Sequence, residues 1–288
     1  MDMDIKTIAV IGGDKRQLFL ARSLCEDGYA VLLAGFDSIK ELSGCVLCGI
    51  REAIERADIV ILPVPCLRSD GALNAPFAEK EIIFSNEEIK LMAEKPVFTS
   101  FAERLVRNHP ALGGAAVYDY AARDDFAVLN AVPTAEGALE LAMNACEGTI
   151  ASSKVLVSGF GRVGRALSRL LVAVGARVTV AARKSSDRAA ACSLGADAVD
   201  FGSADWDYDI VFNTVPAPVF DEARLKKLRP NTLLFDLASL PGGVDFEAAR
   251  ALGIDARRAL ALPGKCAPKT AGEIIKKTVF EIIKEVSK

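Results

Sequence analysis

The sequence predicts an α/β protein built as two doubly wound parallel-sheet domains with a cleft between them. Three observations carry this expectation. Apolar, often β-branched runs alternate with amphipathic helical stretches across Gly, Pro or Asn breaks, the rhythm of βαβ units. That series restarts midway at "KVLVSGFGRVGRAL". A chain of 288 residues also has room for two ordinary cores.

The elements follow in order. "TIAVIGGD" reads as strand and turn, and residues 15–27 as a helix. "AVLLAGFD", "ADIVILPVP" and "KPVFTS" supply further strands of the first series. After "AVYDYAARDDFAVLNAVPT" a helix is expected from Thr134 to Cys146, as an interdomain spine. "RVTVAAR", "ADAVDF", "YDIVFNTVP" and "TLLFDLAS" then complete the second series. The tail carries Ile274, Ile275, Val279, Ile282 and Ile283 at helical spacing, so an amphipathic helix closes the chain. The domains are expected over 1–130, for substrate and catalysis, and 131–288, for the nucleotide and the closing helix. The residues do not fix which domain that helix packs on.

Composition narrows the function. With 51% hydrophobic and 25% charged residues the chain has the balance of a soluble globular protein. A net charge of −3, without basic runs, gives no reason to expect nucleic acid. The start "MDMDIKTIAVIGG" lacks the basic region of a secretory signal, and no apolar run approaches the ~20 residues that span a bilayer. Seven scattered cysteines suit a reducing cytoplasm. Cys45 and Cys48 have C-x-x-C spacing, but no further ligands lie nearby, so a short strand with two small buried residues is expected and no metal site.

"GFGRVG" (Gly159, Phe160, Gly161, Arg162, Val163, Gly164) directly follows a strand and opens an apolar-periodic helix, the setting of a dinucleotide fingerprint. Gly159 permits the turn, Gly161 admits the pyrophosphate, and Gly164 lets helix and strand pack closely. An NAD site places an acid about 20 residues later for the ribose 2′-hydroxyl. Arg183, Lys184 and Ser185 stand there instead, and cations with a hydroxyl suit a 2′-phosphate. NADP is therefore expected, with NAD as the other option; a solvated basic loop is the plainer alternative. The next strand end, Asn213, Thr214, Val215 and Pro216, should complete the cofactor site. "GGDKRQ" in the first half lacks the third glycine and the spacing, so no second dinucleotide is expected.

Arg16, Arg123, Lys265 and Lys269 lie at loops expected to face the cleft, which suits an anionic, multiply carboxylated substrate; surface salt bridges are the plainer role for each. A hydroxyacid dehydrogenase normally needs a histidine beside an acid. The one histidine, His109, sits in a polar turn and reads as a surface residue. Alcohol oxidation is thereby disfavoured against forming a double bond in an easily aromatised ring.

Taken together, "AVIGGDKRQ", "ILPVP", "IFSNEEI", "RDDFAVLNAVPTAEGALELAM", "VLVSGFGRVGRAL", "LFDLASLPGGVDF" and "LPGKCAPKTAGEII" resemble the A-subunit family of dipicolinate synthase from endospore-forming bacteria, nearly end to end and in the same order. The resemblance implies oxidation of a dihydrodipicolinate to pyridine-2,6-dicarboxylate with NAD(P)+. It also implies work in the mother-cell cytoplasm during sporulation, beside the flavoprotein-like B-subunit of dipicolinate synthase; a homo-oligomer is left open. It does not itself designate catalytic residues. From motif position, Glu136 and Asp236 are candidate bases, with Lys265 and Lys269 as catalytic or substrate-binding cations. Cys66 and Cys266 stand where Ser and Val are expected in relatives, and without a histidine to activate them they read as buried thiols. Two other readings keep the fold: a 2-hydroxyacid-dehydrogenase-like enzyme, and a cofactor-binding regulatory or scaffold component that is active only with its partner.

Overall fold

The computed structural model describes residues 4–287, so the first three residues of the stretch read for a signal lie outside the described residues. Unit 1 holds the chain up to Leu129 together with Pro268 onward, and unit 2 runs from Asn130 to Ala267. In chain order unit 1 contains β1 (Thr7–Ile11), α1 (Lys15–Glu26), β2 (Ala30–Ala34), β3 (Cys45–Leu47), α2 (Ile50–Arg56), β4 (Ile59–Ile61), α3 (Asn86–Ala93), β5 (Val97–Thr99), α4 (Ala102–Asn108) and β6 (Val117–Asp119). Its sheet is six-stranded, in the order β3-β2-β1-β4-β5-β6. Every pairing is parallel, with Ile8 opposite Val31 on one side of β1 and Ile59 on the other. Alternate residues feed two cores. Ile8, Val10, Val31 and Leu33 face one; Ala9, Ile11, Leu32 and Ala34 face the other. Burial on both faces explains why these strands read as unbroken apolar runs.

The helix α5 (Asp124–Ala145) crosses the division. It starts ten residues before the expected Thr134 and runs through Pro133. Proline removes the hydrogen bond to the carbonyl four residues back, here that of Leu129, which is also where unit 1 ends. The Thr134 hydroxyl donates to the Asn130 carbonyl at 2.7 Å, a bond from the side chain within the weakened turn.

Unit 2 repeats the architecture. It contains β7 (Lys154–Ser158), α6 (Arg162–Ala173), β8 (Arg177–Ala181), α7 (Ser185–Ser193), β9 (Asp197–Val199), β10 (Ile210–Asn213), α8 (Glu222–Leu225), β11 (Leu233–Asp236), α9 (Phe246–Ala251), β12 (Asp255–Arg258) and α10 (Leu262–Cys266). The order β12-β11-β10-β7-β8-β9 is again that of a Rossmann sheet, with its reversal between β7 and β10. Val155, Val157 and Phe212 face one core, while Leu156 and Val211 face the other.

The closing helix α11 (Pro268–Val286) corrects the expected domain ranges, because it belongs to unit 1 and not to the nucleotide-binding half. The reason is its apolar stripe. Ile274, Ile275, Val279, Ile282 and Ile283 are buried in one cluster with Leu20 and Leu24 of α1, each burial contributing roughly 1.5–3 kcal/mol. Gly272 allows the approach, since a Cβ there would stand 2.6 Å from the Arg16 carbonyl oxygen. At the far end Lys276 donates to the Ser23 hydroxyl at 2.7 Å and pairs with Asp27 at 2.6 Å.

Candidate functional site

The turn after β7 has the shape the fingerprint requires. Gly159 adopts φ +92°, and its N–H donates to the Ala181 carbonyl at the end of β8, 2.9 Å away. A side chain there would meet Thr214 Oγ1 and Val215 Cγ2, both at 2.7 Å, so this glycine also lets the loop after β10 close against the turn. A Cβ on Gly164 would stand 2.3 Å from the Gly159 carbonyl oxygen. Gly161 differs: it is the N-cap of α6, makes no side-chain cap, and faces open space, with nothing within 4 Å of a Cβ built on it. The first N–H groups of a helix need acceptors from outside the helix. An uncapped start beneath open space therefore fits a pyrophosphate.

The loop from β8 to α7 sits beside this turn. Arg183, Lys184 and Ser185 are exposed, and neither cation is paired with a neighbouring acid. Lys184 is the N-cap of α7 and contributes no side-chain bond, so this helix too begins uncapped. The sequence reading missed two arginines that shape the loop. Arg188 donates to the carbonyls of Ala182 and Arg183 at 2.8 and 2.7 Å, fixing the backbone that presents the exposed cations. Arg165 stacks over the Phe160 ring at 4.8 Å and donates to the Phe160 carbonyl at 3.0 Å. It also pairs with Asp187 at 2.8 Å. Their charge was visible in the sequence; their partners were not.

Asp236, expected as a candidate base, lies in a buried hydrogen-bond network. It is 1% exposed and accepts from Asn213 Nδ2 at 2.8 Å, the Gly243 N–H at 3.0 Å and the Ala238 N–H at 3.3 Å. Asn213 in turn accepts from the Ser158 hydroxyl at 3.0 Å and the Val215 N–H at 3.2 Å. One polar network thus joins the ends of β7, β10 and β11 and sets the shape of Thr214–Pro216. Glu136, the other expected base, is exposed on α5.

Unit 1 begins with the same turn and closes it. Gly12 adopts φ +68° and donates to the Ala34 carbonyl at the end of β2, as Gly159 does to Ala181. Three of the donors beyond it have acceptors within the chain. The Gly13 N–H goes to the Asn74 carbonyl at 2.7 Å, the Asp14 N–H to Gln17 Oε1 at 3.0 Å, and the Arg16 N–H to Asp14 Oδ1 at 3.0 Å. The Leu73 side chain lies over Gly12, 2.7 Å from where a Cβ would stand. The turn of unit 1 is thus capped from within, unlike that of unit 2.

Two of the four expected substrate cations are occupied. Arg16 is 6% exposed; its guanidinium donates to both carboxylate oxygens of Asp14 at 2.9 Å and also to the Val64 carbonyl. Arg123 is bound on both sides, to Asp125 at 2.9 Å and to Glu285 at 2.6 Å. Both residues expected to meet the substrate are thus engaged in internal ion pairs in this structure. Lys265, in α10 of unit 2, and Lys269, at the start of α11 in unit 1, are exposed and unpaired.

Cys66 is 1% exposed, and burial pushes its pKa up to about 12. Cys266 donates to the Pro133 carbonyl at 3.1 Å, and burial raises its pKa as well. Cys45, half-buried, faces Cys25 with the sulfurs 3.0 Å apart and does not pair with Cys48. Among the described residues no group of three or more His, Cys, Asp or Glu could hold a metal. His109 is half-buried, edge-on to Phe84 at 6.1 Å, and not the surface residue expected; burial lowers its pKa. No helix among the described residues is long and apolar enough to cross a membrane.

Known proteins resemble the chain in both halves. Residues 134–239 match the NAD-binding domain of D-isomer-specific 2-hydroxyacid dehydrogenases, so unit 2 carries a dehydrogenase-like domain for a nicotinamide dinucleotide. Residues 7–121 match the N-terminal domain of the dipicolinate synthase A-subunit. The crystal structure of the dipicolinate synthase A-subunit from Bacillus halodurans superposes with a TM-score of 0.88 at 32% identity, covering 96% of this chain and 97% of that one. The corresponding crystal structure from Bacillus subtilis gives a TM-score of 0.85 at 35% identity, over 98% and 97%. A transhydrogenase from Sinorhizobium meliloti shares the fold alone, with a TM-score of 0.68 at 15% identity over 96% and 94% of the two chains. In sequence, the dipicolinate synthase A-subunit of Bacillus subtilis (strain 168) is 36% identical over 255 residues, which are 86% of this chain and 85% of that one. With that much of the sequence shared, the chain belongs to the A-subunit family of dipicolinate synthase.

Proposed function

We propose that the chain is the oxidoreductase component of a dipicolinate synthase and uses NADP. The substrate is a dihydrodipicolinate. It loses a hydride and a proton as the ring becomes pyridine-2,6-dicarboxylate, an oxidation acting on a CH–CH bond. When bound, the nicotinamide supplies the hydride acceptor. The residues of unit 2 do the holding. The open start of α6 at Gly161 receives the pyrophosphate, with Phe160, Arg162 and Val163 around it. Arg183, Lys184 and Ser185 receive the 2′-phosphate, and Thr214, Val215 and Pro216 line the neighbouring strand end. Lys265 of unit 2 and Lys269 of unit 1, each exposed and without an ion pair, are each taken separately as a candidate for a substrate carboxylate. Glu136 is the remaining candidate for the proton, since the Asp236 carboxylate is committed to three internal donors.

The observation that carries the reading is the pairing of an uncapped, unobstructed α6 with two unpaired cations after β8. Calorimetric titration of the purified chain with NADPH and NADH tests it: NADPH binds more tightly, and preference for NADH overturns the clamp. Replacing Arg183 with Ala weakens NADPH and spares NADH.

A second reading is favoured by the same internal pairing. With Arg16, Arg123 and Asp236 all engaged within their own units, turnover requires a partner, the flavoprotein-like B-subunit. Assays of the chain alone and mixed with that partner separate an independent enzyme from a cofactor-binding component of a complex. The mother-cell cytoplasm of sporulating bacteria is the setting this function carries with it.

A further inference from the structure

Asp187 is a misplaced charge in a phosphate clamp. It lies in the first turn of α7, three residues after the N-cap Lys184. A carboxylate at that position has two ways to exclude a 2′-phosphate. It can turn back to accept from the free N–H groups at the helix start, taking the donors that the phosphate needs. It also opposes a second anion by charge, and its reach covers the first turn.

In the structure Asp187 is held by Arg165 and accepts from no backbone N–H at the start of α7. The Arg165 guanidinium spans two elements. Nε donates to the Phe160 carbonyl in the glycine turn at 3.0 Å, and Nη2 binds Asp187 Oδ1 at 2.8 Å. Its Cζ lies over the Phe160 ring, 4.8 Å from the centroid, and this contact with the hydrogen bond to the Phe160 carbonyl limits where the fork can point. Lysine offers a point charge without that fork. The start of α7 is consequently left without a side-chain cap although an acid stands one turn away.

We infer that Arg165 is a positioning residue for cofactor choice: by holding Asp187 away from the start of α7, it keeps the donors and the cations there available to a 2′-phosphate. The inference rests on the NADP reading and deepens it. Three consequences distinguish it from a merely structural role. Loss of Arg165 discriminates between the two cofactors, since only one of them carries the 2′-phosphate. The loss is undone by neutralising Asp187. Removing Asp187 alone leaves NADPH binding intact or improved.

The test is calorimetric titration of NADPH and NADH into the full chain carrying R165A, R165K, D187N or R165A with D187N, beside R183A, with melting curves to confirm folding. R165A is expected to weaken NADPH about fivefold, the scale of one partly exposed charge interaction, and to leave NADH within about twofold. R165K retains part of the preference, and D187N added to R165A restores most of it. Equal weakening of both cofactors by R165A makes Arg165 a structural strut and overturns the inference. A selective loss that D187N does not restore means Arg165 touches the phosphate itself and also overturns it. R183A separates the layers. If R183A loses NADPH selectively while R165A does not, only the role of Arg165 fails. If R183A affects both cofactors alike, the clamp fails and the inference falls with it.

Discussion

Asn213 and Asp236 face each other across the ends of β10 and β11, the amide nitrogen of one 2.8 Å from the carboxylate of the other. Gly243 closes the arrangement. A Cβ there would stand 2.4 Å from Asn213 Nδ2, so the loop after β11 folds down only because this residue has no side chain. The acid thus acts as a fastener of strand ends beneath the nucleotide loops.

Asp236→Asn is accordingly expected to lower the melting temperature. It replaces an oxygen acceptor by a donor opposite buried N–H groups, at a cost of about 1–3 kcal/mol. Affinities for NADPH and NADH fall together, because the Thr214–Pro216 loop is common to both. A drop in kcat with melting temperature and both affinities unchanged restores Asp236 as a base.

The glycines of the turn make opposite predictions. Gly164→Ala places a methyl group 2.3 Å from the Gly159 carbonyl oxygen and forces α6 away from β7, so stability and cofactor binding both fail. Gly161→Ala meets no atom within 4 Å, and its φ of −76° suits any residue. That variant keeps its stability within about 1 kcal/mol of the parent. It loses dinucleotide affinity because the added methyl group stands where the pyrophosphate belongs. Melting curves and titrations of the two variants check the contrast.

Lys265→Ala and Lys269→Ala are each expected to weaken binding of pyridine-2,6-dicarboxylate several-fold, on the order of one charged hydrogen bond, without changing NADPH affinity. Competition titrations with the dicarboxylate and with NADPH read the two effects separately. A fall in NADPH affinity reassigns that lysine to the nucleotide.

Alkali should loosen unit 1 through Cys66. Its folded pKa is raised to about 12, chiefly by burial, whereas an exposed thiol titrates near ~8.5. The folded state therefore holds the proton that the unfolded chain has given up. The contribution is complete below the unfolded pKa and is lost as pH rises towards the folded one. Stability falls from about pH 9 towards pH 12. Cys66→Ala makes that fall shallower in chemical denaturation at stepped pH; an unchanged slope assigns it elsewhere. Tyr120, fully buried and likewise raised by desolvation, adds to the fall at the upper end and remains in the variant.

The strands that were legible are those buried on both faces, such as Thr7–Ile11 and Ile210–Asn213, where apolar runs leave little room for another reading. Val117–Asp119 was not read as a strand, being three residues long and half-buried. Asp255–Arg258 escaped because an outermost strand with charged residues does not look like one. Pro133 hid the first ten residues of α5, since proline normally marks a boundary and here sits inside the helix. In the site, the glycine turn was legible because its requirements are local: positive φ and close approach belong to single positions. The cations were not. Arg123 meets Glu285 from 162 residues away, and Arg16 is closed in by the Val64 carbonyl, 48 residues on. Whether a charge is spent or available is decided by tertiary neighbours.

Two sheets of identical strand order descend along this chain, yet the helix after the first strand begins without a side-chain cap in one and with a capping box in the other. The donors of the other are satisfied by Asn74, Gln17 and Asp14. The expected consequence is a binding stoichiometry. Titration should saturate at one dinucleotide per polypeptide, and a second equivalent bound would mean that the turn of unit 1 opens as well.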